Sequence, residues 1–118
     1  MVNYHKLGDT ELAFTNKLGV TRDIKRAFGK EYTQVVQNAD KLTLDEVIKF
    51  IHTCQAEKGD LKEFTDWVYE ESGAGHMDVI ELMQELVMEI QFPGKTPEER
   101  KKIMMEKEKE HREMTSSY

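Results

Sequence analysis

The sequence predicts a mainly α fold: a small single domain of about five helices, with a short N-terminal β-hairpin and a charged C-terminal tail, helical or disordered. Three observations predict it. From Val20 onward, apolar residues recur at three- and four-residue spacing, in runs punctuated by capping residues, glycine and proline. Near the N-terminus the period is two, as in a half-buried strand. The third is a break at Phe92-Pro93-Gly94-Lys95-Thr96-Pro97. Residues 1–94 carry 10 Lys+Arg against 17 Asp+Glu, a net charge of −7, while residues 95–118 carry 7 against 6, a net of +1. Beyond the break only Ile103, Met104, Met105 and Met114 offer much to bury. Residues 1–94 therefore read as the compact domain and residues 95–118 as its tail.

In order along the chain, Val2 to Leu7 and Glu11 to Thr15 flank a Gly8-Asp9-Thr10 turn, with Leu12 and Phe14 on one strand face. Such a hairpin is marginal alone, so it must lie on the helices or on another subunit. Thr21 is the expected N-cap of a helix that presents Ile24 and Phe28 and ends at Gly29. Glu31 to Leu42 places Tyr32, Val35, Val36 and Ala39 on one face. Thr43-Leu44-Asp45-Glu46 is a capping box. The helix it opens buries Leu44, Val47, Ile48, Ile51 and Cys54, and Lys58-Gly59 ends it. Asp60 caps the next helix, whose stripe is Leu61, Phe64, Trp67 and Val68, with Trp67 expected to be mostly buried. Ser72-Gly73-Ala74-Gly75 breaks that helix. The helix from about His76 to Phe92 is the most apolar, with Val79, Leu82, Met83, Leu86 and Ile90 on its core face. Pro93 stops it. Thr96-Pro97-Glu98-Glu99 carries a further helix-start signal.

Composition narrows the function. A chain of 118 residues fits one domain that buries roughly two-thirds of its unfolded surface, too little scaffold for a deep catalytic cleft. The net charge of −6 argues against nucleic acid, which needs clustered Lys and Arg, and against an anionic membrane surface. Cys54 is the single cysteine, so no intrachain disulfide forms and a reducing cytosol is the expected compartment. No signal peptide and no bilayer-spanning apolar run is read.

No residue pattern builds an active site. His52 with Cys54, and His76 with Asp78, stand two apart, which points them to different helix faces rather than to one metal. Gly73-Ala74-Gly75 follows a helix and sits among Glu70, Glu71 and Asp78, so it reads as an interhelical turn and not a phosphate cradle. Glu81, Glu85 and Glu89 line the face opposite the apolar one and read as a solvated stripe, or as a contact for a basic partner. No catalytic, cofactor-binding or metal-binding residue is assigned. The remaining feature is the width of the apolar arc over residues 77–92. Ile80, Met83, Val87 and Met88 exceed what one packing face needs and are the expected partner-binding residues, with methionines suited to varied contacts. The plainer reading is a central helix surrounded by its neighbours.

The order of these elements, with their wording, resembles a known family. Leu12-Ala13-Phe14-Thr15-Asn16, Asp23 to Gly29 and Leu42 to Val47 resemble the tail assembly chaperones of long-tailed, siphovirus-type bacteriophages and prophages. So does Gly73-Ala74-Gly75-His76-Met77-Asp78-Val79-Ile80-Glu81-Leu82, followed by Gly94-Lys95-Thr96-Pro97-Glu98-Glu99. The likeness covers most of residues 11–102 and contains no catalytic motif.

The resemblance implies a small, helical, non-enzymatic protein acting in virion morphogenesis in the host cytoplasm. Its implied client is the tape measure protein, kept soluble while tail tube protein assembles around it. Many members also exist in a longer form made by ribosomal frameshifting near the C-terminus. The residues suit this role. A long helical client exposes apolar faces, and its chaperone needs an adaptable apolar surface ringed by charge. Homo-oligomer formation along the client is a natural extension. Two rivals are a cytosolic helical adaptor or regulator that binds a single partner through the same face, and a small enzyme built on His52, His76 and the carboxylates. A tape measure gene immediately downstream distinguishes the first rival, and metal analysis the second.

Overall fold

Gly8 and Asp9 turn the chain between β1 (Val2–Leu7) and β2 (Thr10–Thr15), which pair antiparallel with Leu7 opposite Thr10 and Asn3 opposite Phe14. Gly8 has φ +63°, the positive value that a two-residue hairpin turn of this kind requires at its first position. A side chain there is also excluded by space, because a Cβ would lie 1.7 Å from the Ser72 carbonyl oxygen. The structure, a computed structural model, describes residues 2–96, 98, 99 and 102.

Five helices follow: α1 (Gly19–Phe28), α2 (Tyr32–Gln37), α3 (Leu44–Thr53), α4 (Leu61–Glu70) and α5 (His76–Gln91), with a short 3-10 turn at Ala39–Lys41. The cap signals hold at most ends. Gly29 closes α1 in the left-handed region at φ +69°. At α3 the Thr43 hydroxyl accepts from the Glu46 N–H, and the Thr43 N–H donates to the Glu46 carboxylate at 3.0 Å, holding that carboxyl below its usual range. Asp60 accepts from Glu63 at α4. At α5 the Gly75 N–H donates to Asp78 at 2.7 Å. Glu99 donates to the Thr96 hydroxyl beyond the break, while the rest of the expected tail helix lies outside the described residues.

Three local expectations are corrected. Thr21 is not the cap of α1: that helix starts at Gly19, burying Val20, and the Thr21 hydroxyl donates to Leu18 O. The run from Glu31 is not one helix to Leu42. Asn38 donates its side-chain amide to Gln34 O, competing with the backbone ladder, and the chain tightens into the 3-10 turn. α3 ends at Thr53 rather than Lys58, because the following segment pairs with β2: Thr15 N–H donates to Cys54 O and Ala56 N–H to Ala13 O. Trp67, expected to be mostly buried, packs against the core from outside it and stacks on Phe64, while Val68 is the residue of α4 that is buried.

The core is built where the hairpin, α1, α3 and α5 converge. Phe14, Ile24, Ile48, Phe50 and Ile51 have no exposed surface, and Leu7, Val20, Val79, Leu82, Leu86 and Ile90 complete it. The hairpin thus lies on the helices. Phe28 tilts against Phe50, and the Tyr69 hydroxyl on α4 donates to Asp45 on α3. Pro93 follows the end of α5 as expected.

Candidate partner-binding groove

α5 carries more apolar surface than the core consumes. Val79, Leu82, Leu86 and Ile90 face inward, and α3 and β1 cover them. Around the helix from that face, Ile80, Met83, Val87 and Met88 line an open groove of about 430 Å³. All four sequence-predicted partner residues therefore stand together. They are not equivalent. Met83 is 3% exposed and forms the floor, whereas Ile80, Val87 and Met88 are half-buried walls.

The opposite wall comes from Val36, Ala39 and Leu42, with Val47 of α3 at its base. The break in α2 shapes this wall. Because the chain tightens at Asn38, Ala39 opens a 3-10 turn and Leu42 follows it in extended conformation, in place of a continued α-helix. Sequence reasoning assigned Val36 and Ala39 to a packing face and missed their place in the groove. Their apolar period was a signal, but their partner across the groove was not readable from it. Asp40, His76 and Gln84 supply the polar rim. Apolar walls with a thin polar rim suit an apolar helix face better than a charged small molecule.

The other side of α5 overturns the expectation of a wholly solvated acidic stripe. Glu81 and Glu85 are exposed, but Glu89 is 4% exposed beneath the hairpin. Asn3 donates to Glu89 at 3.1 Å, and His5 places Nε2 2.5 Å from Glu89 and Nδ1 3.1 Å from Glu85. The two ring nitrogens of His5 thus each face a carboxylate oxygen, and a nitrogen that carries a proton donates to the carboxylate it faces. A buried carboxyl group is tolerated here because the Asn3 amide and the His5 ring meet it.

The remaining residues weighed for chemistry stand apart from one another. Burial pushes the Cys54 thiol up to about 12, which keeps it protonated and a poor nucleophile. His52 bonds the Gly59 carbonyl at 2.7 Å and lies against Phe64. His76 lines the groove while Asp78 lines a cleft beside β1, so that pair is divided between two faces. Among the described residues no three His, Cys, Asp or Glu side chains cluster as a metal site, and no helix is long and apolar enough to cross a membrane. In comparisons with family models, curated proteins and solved structures, nothing matches this chain.

Proposed function

We propose that this chain is a non-enzymatic tail assembly chaperone of a long-tailed bacteriophage or prophage, acting in the host cytoplasm. Its client is the tape measure protein, held by an apolar helix face in the groove between α5 and the α2 turn. The observation that carries the reading is that groove: Ile80, Val87 and Met88 of α5 face Val36, Ala39 and Leu42 across an open apolar channel. A long helical client exposes such faces until tail tube protein covers them, and a weak, repeated contact of this kind shields them without locking them. The net charge of −6 keeps the chaperone itself from aggregating while part of its apolar surface stays open. The element order and wording of residues 11–102 support the same family.

Co-expression with the tape measure protein tests the reading, with the client's soluble fraction as the readout. Met88→Glu and Ile80→Lys put a charge where a docked helix must desolvate it, so solubilisation should fall sharply. Both side chains are half-buried on a rim, and far-UV circular dichroism should report a retained helical fold. Full solubilisation by well-folded variants would overturn the assignment of the groove.

A further inference from the structure

We propose that the outer edge of β1 docks an extended, basic segment of a partner protein, which adds to the hairpin as a third strand over the acidic row of α5. Backbone alternation supplies the first argument. The two-residue turn makes Leu7 and Thr10 a hydrogen-bonded pair, so Leu7, His5 and Asn3 direct their N–H and C=O groups at β2. Val2, Tyr4 and Lys6 direct theirs away from it. β2 obeys the same alternation, and its outward Ala13 and Thr15 are met by Ala56 and Cys54. On β1 no backbone partner meets the outward groups among the described residues. Val2 and Tyr4 are 46% and 64% exposed, so no element covers the sheet face they stand on, and the outward backbone groups beside it can take an added strand.

Charge selects the occupant. α5 runs antiparallel to β1: Asn3 meets Glu89, His5 meets Glu85 and Glu89, and Gly8 stands near Asp78 and Glu81. Lys6, Asp78, Glu81 and Glu85 share a cleft of about 190 Å³ in which Lys6 is the one basic residue. A strand added to this edge sends every second side chain toward α5, where Lys or Arg finds Glu81 and Glu85. A second copy of this chain could pair Tyr4 with Tyr4 in register, but it would set two acidic rows side by side. Like charges so placed disfavour that dimer. An acidic strand meets the same repulsion. The basic strand gains both the backbone bonds and the ion pairs.

The test uses the full chain and two end-blocked heptapeptides, one alternating Lys with Thr and one alternating Glu with Thr. The Lys peptide should shift the backbone amide resonances of Tyr4 and Lys6, protect them from hydrogen exchange, and lose affinity as salt is raised. The Glu peptide should do neither. Tyr4→Pro deletes one outward N–H that the hairpin does not use, and should weaken the Lys peptide by about tenfold. Glu81→Lys leaves the strand intact, so it serves even if the proline loosens the hairpin, and it should reduce the preference for the Lys peptide. Equal binding of both peptides, or perturbation at Val87 and Met88 in place of β1, would overturn the proposal. So would a homodimer whose protected amides are those of Tyr4 and Lys6.

Discussion

Two faces of α5 meet opposite fates. Toward β1, the helix presents a carboxylate, Glu89, and the hairpin buries it with Asn3 and His5. Toward the α2 turn, it presents Ile80, Val87 and Met88, and these stay half-exposed along a groove. By hydropathy alone the outcome should be reversed. Burial follows from which element arrives at a face, and a polar group is tolerated where the arriving element brings matched donors. The apolar face stays open because α2 shortens at Asn38 and leaves a channel rather than a packed seam.

The strongest way to break the hairpin side is Phe14→Ala. Phe14 is fully buried between the hairpin and the helices, so its truncation should cost about 3–5 kcal/mol in urea unfolding. A loss under about 1 kcal/mol would mean that the hairpin contributes little to the core.

A sharper test uses neighbours on the same turn of α5. Glu89→Ala removes the carboxylate that meets the Asn3 amide and one nitrogen of the His5 ring, and should cost about 2–3 kcal/mol. Met88→Ala removes half-exposed surface, and should cost about 1 kcal/mol or less. Equal losses at the two positions would erase the contrast between the faces.

Trp67 extends the comparison to α4. Since it is half-buried on Phe64, Trp67→Ala should cost about 1–2 kcal/mol, below the range for a fully enclosed aromatic. Its fluorescence should be quenched by acrylamide at an intermediate rate, and complete protection would place it in the core.

The smallest effect is nil at neutral pH. The unfolded Cys54 thiol ionises near 9.0, while burial lets the folded one keep its proton to about 12. The folded state then binds the extra proton, so this contribution is fully present below pH 9.0 and is lost as pH rises toward about 12. Cys54→Ala should have a flatter stability profile across that window than the native chain. Parallel profiles would remove the thiol as a cause.

The sequence by itself determined the mainly helical class, the hairpin, the core face of α5 and the stop before Pro93. These are local facts: apolar period assigns a face, and a cap such as Thr43 with Glu46 closes within three residues. It also grouped Ile80, Met83, Val87 and Met88, which line one groove because a single helix places them together. Only the tertiary structure decided that Met83 is floor and the other three are wall, that Val36, Ala39 and Leu42 stand opposite them, and that Trp67 packs at the margin of the core while Val68 is enclosed. Glu89 shows the reason most plainly. Its partners Asn3 and His5 lie 86 and 84 residues away in the chain, and periodicity carries no information about which distant element will cover a face.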